Sequence, residues 1–292
     1  MIERYLIHYF LAVVDHGNFS RAAQHCGVSQ PTLSVGIAKL EAQIDHVLFH
    51  RTNRRVELTL AGNKFAAYAR RIEAEFARAQ QAMAENDASK LIRLGVVSSL
   101  PSNWIENATR EACRVEGEKL ELVEGRMREL LPRLERGRID AIIGVLGNDT
   151  RGREPLFEEG YALALPDSHA FAHRKILEPE EVGDAQMIVR RNCEALPAVS
   201  RFFTQRGIRP FFAARTVNDD RAIAFVRAGL GITVMPRCFL QPGIAMPTLS
   251  GFDQRRTIGI LADHATSGRA DSSQSIKRFC ATLRMNATAS SP

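Results

Sequence analysis

The stretch Phe19-Ser20-Arg21-Ala22-Ala23-Gln24-His25-Cys26-Gly27-Val28-Ser29-Gln30-Pro31-Thr32-Leu33-Ser34 decides the fold of the N-terminal region. Ser20 is the expected cap of a short helix, Arg21 to Cys26, which Gly27 ends because glycine takes a left-handed backbone most easily. Val28-Ser29-Gln30-Pro31 then restarts the chain. Ser29 is the expected cap of the next helix, and Pro31 lies in its first turn, where a missing N–H costs nothing. Within that helix Leu33, Ile37, Leu40 and Ile44 fall at spacings of 4, 3 and 4, burying one face and leaving Gln30, Thr32, Ser34, Val35 and Lys39 outward. A short helix, a tight turn and a longer helix make the helix-turn-helix pattern, whose second member enters the DNA major groove by its N-terminal end.

Working outward, Tyr5, Leu6, Tyr9, Phe10, Val13 and Val14 give the stripe of an amphipathic helix that His16-Gly17-Asn18 ends. On the other side, Leu48-Phe49-His50-Arg51 and Arg55-Val56-Glu57-Leu58 alternate around the polar turn Thr52-Asn53-Arg54 and read as a β-wing. Its cluster of Arg51, Arg54 and Arg55 suits phosphates or a minor groove. Thr59 is placed to cap a long helix, Leu60 to about Asn86. In it Phe65, Ala69, Ile72, Phe76, Ala79 and Met83 are spaced 4, 3, 4, 3, 4, which is a heptad seam. A module of some sixty residues offers too little surface for so long a stripe, so pairing with a second copy is expected.

After Asp87 the pattern alternates between strands (Leu91 to Val97, Leu120 to Glu124, Ala141 to Val145, Tyr161 to Leu165, Met187 to Arg190, Ile232 to Met235) and helices, which predicts a parallel sheet in an α/β region. An enzyme and a sensor compete for it. Gly229-x-Gly231 follows a helix and precedes a strand, the reverse of the dinucleotide fingerprint, and no phosphate-binding G-x-x-x-x-G-K-S/T is present. His169 and His173 sit in a loop after Pro166-Asp167-Ser168, a poor metal site, and no nucleophile, base and orienting group stand out by spacing. A sensor is the better reading, with no cofactor and no metal expected; turnover of a metabolite would favour an enzyme fused to a DNA-binding module. Ligands of open α/β folds bind beyond the carboxyl ends of strands, near helix N-termini, and Ser98, Ser99 and Ser102 lie there after Val97.

The 292 residues exceed what one core usually holds, so at least two domains are expected, and 45% hydrophobic with 25% charged residues fits a globular protein rather than a disordered or fibrous one. The net charge of +6 favours polyanionic partners, although the first 87 residues are close to balance, so placement of charge matters more than the total. Tyr5 to Val14 contains His8 and has helical period, unlike a signal peptide, and no run approaches the length of a membrane span, so a cytoplasmic protein with no membrane partner is expected. Cys26, Cys113, Cys193, Cys238 and Cys280 are odd in number without C-x-x-C spacing, which disfavours a disulfide framework and a zinc site.

Phe10-x-x-Val13, Phe19-Ser20-Arg21-Ala22-Ala23, Val28 to Ser34, Ile37, Leu40-Glu41, Leu48-Phe49-x-Arg51 and Leu58-Thr59-x-Ala61-Gly62 together resemble the LysR-type transcriptional regulators. The resemblance implies a winged helix-turn-helix over 1–58, a linker and dimerisation helix over 59–87, and an effector-binding domain over 88–292. That domain would have two lobes of the periplasmic-binding-protein type, roughly 91–160 plus 265–285, and 161–262. Ile92-x-Leu94-Gly95-Val96, Gly137-x-Ile139-Asp140-Ala141 and Ala228-Gly229-Leu230-Gly231-Ile232 carry this part of the likeness. By resemblance Ser29, Gln30, Pro31, Thr32, Ser34, Arg51 and Arg54 contact double-stranded DNA. Arg128, Val145, Leu146, Arg190, Asn192 and Cys193 join the three serines around a small-molecule effector, an anion on the strength of Arg128 and Arg190. The long helix would make a homodimer, assembled further into a homotetramer, with RNA polymerase as a candidate partner. Val35-Gly36 departs from the family pattern, which commonly has Arg or a second polar residue after the serine. Cys193, beside Arg190 and Arg191, opens a redox-sensing alternative, since neighbouring cations favour a thiolate.

Overall fold

The computed structural model describes residues 2–51, 56–84, 90–147, 153–262 and 267–289. They form two units, Met1–Ala88 with Pro132–Arg138, and Ser89–Leu131 with Ile139–Pro292.

In the first unit, α1 (Arg4–His16) buries Leu6, Ile7, Phe10 and Val13 and stops at Gly17, whose φ of 62° lets its N–H return to the Val13 carbonyl. α2 (Phe19–His25) starts two residues earlier than the sequence suggests. Its cap is Asn18 and not Ser20: the extended Asn18 side chain accepts from the N–H groups of both Ser20 (2.8 Å) and Arg21 (3.1 Å). α3 (Gln30–Ile44) is capped by Ser29, whose Oγ accepts the Thr32 N–H at 3.2 Å, and buries Leu33, Ile37 and Leu40. Gly36 faces α1; a Cβ there would lie 2.7 Å from Tyr9 Cδ2, so the glycine, which costs about 1 kcal/mol of helix propensity relative to alanine, lets α3 and α1 approach closely.

The strands β1 (Phe49–Arg51) and β2 (Val56–Leu58) pair antiparallel, Phe49 opposite Leu58. The turn between them, with Arg54 and Arg55, lies outside the described residues. Next comes α4 (Leu60–Ala84), where Thr59 Oγ1 accepts the Gly62 N–H (2.8 Å) and donates to the Val47 carbonyl (2.7 Å). Phe10 stacks with Phe49 at 5.2 Å and edge-on with Phe65 at 5.1 Å, which ties α1, the wing and α4 into one core. Gly62 is where α4 meets the wing, since a Cβ there would stand 2.1 Å from the Leu48 carbonyl oxygen. A backbone carbonyl cannot swing aside as a side chain can, so Gly62→Ala should destabilise this unit by about 1–3 kcal/mol. An unshifted urea midpoint would show that the start of α4 can lift from Leu48.

The second unit contains β3 (Lys90–Val97), α5 (Ser102–Ala112), β4 (Glu118–Gly125), the first part of α6 (Met127–Glu135), β5 (Ala141–Val145), β6 (Arg153–Pro166), β7 (Ile176–Leu177), β8 (Met187–Arg190), α7 (Leu196–Gln205), β9 (Phe212–Thr216) and α8 (Asp219–Arg227). It continues with β10 (Thr233–Pro236), β11 (Ile244–Ala245), β12 (Thr248–Leu249), β13 (Arg255–Leu261), α9 (Ser267–Ser272) and α10 (Gln274–Ala289). Its largest sheet runs β10-β6-β13-β5-β3-β4. β3 is parallel to β4 and β5, but β13 is antiparallel to both β5 and β6, so the sheet is mixed rather than parallel as expected. Strand direction follows from where the chain re-enters, which alternation along the sequence does not encode. The first half of β6 pairs with β13 and the second half with β10 and β11, so one strand is shared by two lobes. β3 to β5 and β13 build the first lobe; β8 and β9, parallel, stand in the second. β13, placed with 161–262 by sequence, thus pairs into the first lobe.

Candidate functional site

At the start of α3 the side chains of Ser29, Gln30, Pro31 and Thr32 are exposed and Ser34 is half-buried. Ser29 Oγ and Thr32 Oγ1 are 2.7 Å apart, a contact that, with the cap, pins the first turn and leaves the Gln30 amide outward. An amide in that place can pair with an adenine edge, while helix-end N–H groups meet phosphate. Lys39, also outward, is already bonded to Glu3 at 2.7 Å, so its charge is neutralised within the chain. Arg51 ends β1, but its side chain and all of Arg54 lie outside what the structure describes.

The heptad stripe of α4 divides in two. Ala69 is fully buried and Phe65 half-buried against the first unit's own core, whereas Ile72 (38% exposed), Phe76 (43%), Ala79 and Met83 (84%) lack such cover. Arg4 packs over the Phe76 ring at 4.3 Å and bonds Glu73 at 3.0 Å, which holds that face in place.

Between the lobes of the second unit lies a cleft of about 600 Å³ whose walls include Ser98, Ser99, Arg128, Val145, Asn192 and Cys193, six of the sequence candidates. Ser102, Leu146 and Arg190 are not among them. Ser102 donates its hydroxyl to Asp220 Oδ2 (2.5 Å) and its N–H to Oδ1 (3.3 Å), so the N-terminus of α5 already holds a carboxylate from α8. Leu146 is turned toward Gly259, and its N–H goes to the Thr257 carbonyl. Arg190, 2% exposed, forks onto Asp219 through Nε (2.9 Å) and Nη2 (2.5 Å), and Nη1 reaches the Val234 carbonyl (3.1 Å) and Cys193 Sγ (3.4 Å). Its charge is therefore committed to Asp219. The Ser98 N–H is likewise committed, to the Gly125 carbonyl, which leaves its hydroxyl to the cleft.

The cleft also contains Arg126 and Glu194, which sequence reasoning passed over, and Arg191, which it placed with Arg190 among the lining candidates. Arg126 reaches from the first lobe to Asn192 Oδ1 in the second (3.3 Å) and bonds Glu129. Arg190, the last residue of β8, is buried on Asp219, while Arg191 opens the turn after the strand and lines the cleft. Glu194 lines the cleft too, and binds Arg256, the hub of a buried network. Arg256 donates to Glu159 (2.9 Å), Glu194 (2.6 Å), and the Ser99 hydroxyl and carbonyl (3.2 and 3.1 Å), while the Tyr161 hydroxyl donates to Glu194 at 2.7 Å. The network joins the loop after β3 to the loop after β8 through β6 and β13. Burial alone would raise the Glu194 carboxyl, but the charge of Arg256 together with the hydrogen bonds from Tyr161 and Arg256 outweighs it and holds that carboxyl below the usual range. Burial pushes the Cys193 thiol up, against the opposing pull of Arg190.

Comparison with known proteins places both units. Residues 5–63 match the family model for bacterial regulatory helix-turn-helix proteins of the lysR family, and residues 85–284 match the LysR substrate binding domain. The chain is 26% identical over 267 residues to the DNA-binding transcriptional dual regulator OxyR of Escherichia coli K12, with 87% of each chain covered. It is 30% identical over 277 residues to a probable hydrogen peroxide-inducible genes activator of Mycobacterium avium, covering 90% of this chain and 88% of that one. The fold resembles full-length OxyR from Pseudomonas aeruginosa with a TM-score of 0.59, at 22% identity and 98% coverage of both chains. The two models together match most of the chain, one in each unit, and the chain belongs to the LysR family of bacterial DNA-binding transcriptional regulators.

Proposed function

We propose that this regulator senses a small anionic molecule in the cleft between the lobes of its second unit. The observation that carries the reading is the convergence there of the guanidiniums of Arg128 and Arg191, neither in an ion pair with a described carboxylate, and of Arg126, which is paired with Glu129, against Glu194, which shares Arg256 with Glu159. Ser98, Ser99 and Asn192 supply hydroxyl and amide groups beside them. Arginine forks suit carboxylates and phosphates. A ligand that binds only the folded state adds about 2.7 kcal/mol at a hundredfold excess over Kd, so a thermal-shift screen of carboxylates and phosphates on the full chain should find it. Arg128→Ala should abolish the shift and leave the unliganded melting point in place, because Arg128 is exposed and hydrogen-bonded to no described residue. A full shift in the variant removes the cleft from the reading.

The DNA contacts are assigned to Ser29, Gln30, Pro31, Thr32 and Ser34 of the recognition turn and to Arg51 and Arg54 of the wing. Gln30→Ala should cost about 1–3 kcal/mol of discrimination between operator and random duplex, with little loss on the random duplex. Equal losses on both would reassign Gln30 to the DNA backbone. The working form is a cytoplasmic homodimer paired through the exposed half of the α4 stripe and assembled further into a homotetramer, with RNA polymerase as partner.

One observation favours a second reading. The relatives above include hydrogen peroxide-inducible genes activators, and Cys193 lines the cleft with a guanidinium 3.4 Å from its sulfur. Peroxide would take the Cys193 thiol to a sulfenic acid with release of one water, the peroxide being reduced and the sulfur oxidised by two electrons. Burial, which disfavours the thiolate, keeps this reading second. If peroxide changes operator binding in the native protein and not in Cys193→Ser, the redox reading takes the lead.

A further inference from the structure

We propose that the second lobe carries a second ligand site, an apolar cavity between α7 and the β8–β9 pair that accepts an amphiphilic anion, a molecule with an aliphatic or aromatic body and one anionic head. The cavity holds about 590 Å³, within the range of about 300–1,000 Å³ typical of small-molecule sites. Val199, Phe203, Ile208 and Val234 form its walls. Protein interiors pack at crystal density, and open space of this size leaves its walls without dispersion partners on one side. An apolar body would supply them. Two exposed guanidiniums, Arg209 and Arg215, border the same cavity, and neither is in an ion pair with a described carboxylate; Arg215 only flanks the Phe212 ring at 5.4 Å. Apolar depth with cations at the border selects for a fatty or aryl acid over either a neutral hydrocarbon or a small polar anion.

The site is distinct from the cleft but touches it. Arg190 and Cys193 line the cavity, and Cys193 lines the cleft as well, so one thiol forms part of both walls. An occupant of the cavity thereby bears on a side chain that the first effector also meets. The site stands independently of what the cleft binds, since the two share no cationic lining residue.

The probes are decanoate and its uncharged counterpart decan-1-ol, titrated into the full chain by calorimetry, with displacement of the fluorescent amphiphile 1-anilinonaphthalene-8-sulfonate as a second readout. Decanoate should bind with one-to-one stoichiometry and displace the dye. The double variant Arg209→Gln/Arg215→Gln, both positions exposed, should weaken decanoate about tenfold and leave decan-1-ol unchanged. Val199→Trp, which fills the cavity, should remove both, and Arg128→Ala in the cleft should keep both. Three results overturn the proposal: no displacement of dye by decanoate, native decanoate affinity in the double variant, or loss of decanoate binding in Arg128→Ala, which would move the ligand to the cleft. Should Val199→Trp fail to fold, the arginine pair decides alone.

Discussion

Asp219→Ala is expected to destabilise the second unit by about 3–5 kcal/mol, the usual cost of leaving one half of a buried ion pair without its partner. Arg190 is 2% and Asp219 3% exposed by side chain, and the fork between them is the guanidinium's sole contact with an anion among the hydrogen bonds described above. With Asp219 gone, Arg190 keeps the Val234 carbonyl and the Cys193 sulfur, neither of which balances a full charge. The loss of an acidic residue from the first turn of α8 adds a smaller amount through the helix dipole. Replacing both members by apolar residues, Arg190→Met with Asp219→Leu, removes the stranded charge and should recover most of the loss. The sequence contains one tryptophan, Trp104, buried in α5 of this unit, so its fluorescence in urea reports the right transition. A loss under about 1 kcal/mol for Asp219→Ala would mean that water reaches Arg190.

Phe76→Asp should dissociate the proposed dimer and lower operator affinity by about a hundredfold or more, since joining two DNA-binding modules multiplies affinity without new contacts. Phe76 and Ile72 are exposed on the half of α4 that the first unit does not cover. A carboxylate there would be desolvated in a dimer and harmless in a monomer, where Arg4, now 4.3 Å from the Phe76 ring, can pair with it. The variant should therefore fold normally as a monomer. Sedimentation that shows the native oligomer in both Phe76→Asp and Ile72→Asp would mean that the stripe is not the interface.

Much of the DNA-binding unit was legible in the sequence because its determinants are local. Ser29 caps α3, Gly27 stands at φ 67°, and Leu33, Ile37 and Leu40 are buried, all readable from residue type and spacing over one or two turns. The cap of α2 stands two positions before the one the sequence suggests, because Asn18 and Ser20 both suit the role by residue type. The cleft was legible in part. Residues after strand ends were found by the general rule for open α/β folds, which places Ser98 and Ser99 correctly on its wall. What failed were pairings across long separations: Asp220 filling the α5 N-terminus, Asp219 claiming Arg190, and Arg256 gathering Ser99, Glu159 and Glu194. No spacing rule relates such residues. Arg190 and Arg191 part because Arg190 ends β8 facing the buried Asp219, whereas Arg191 opens the turn after the strand, and residue type alone does not tell the two arginines apart.

The central claim, that anion binding in the cleft governs the grip on DNA, is tested most directly by operator affinity measured with and without the ligand found by the thermal screen, on genomic fragments that the protein itself retains. The native chain should shift in affinity or footprint on ligand addition, and Arg128→Ala should bind the same operator without responding. A ligand that saturates the cleft while leaving the affinity and footprint of the native chain unchanged would contradict it.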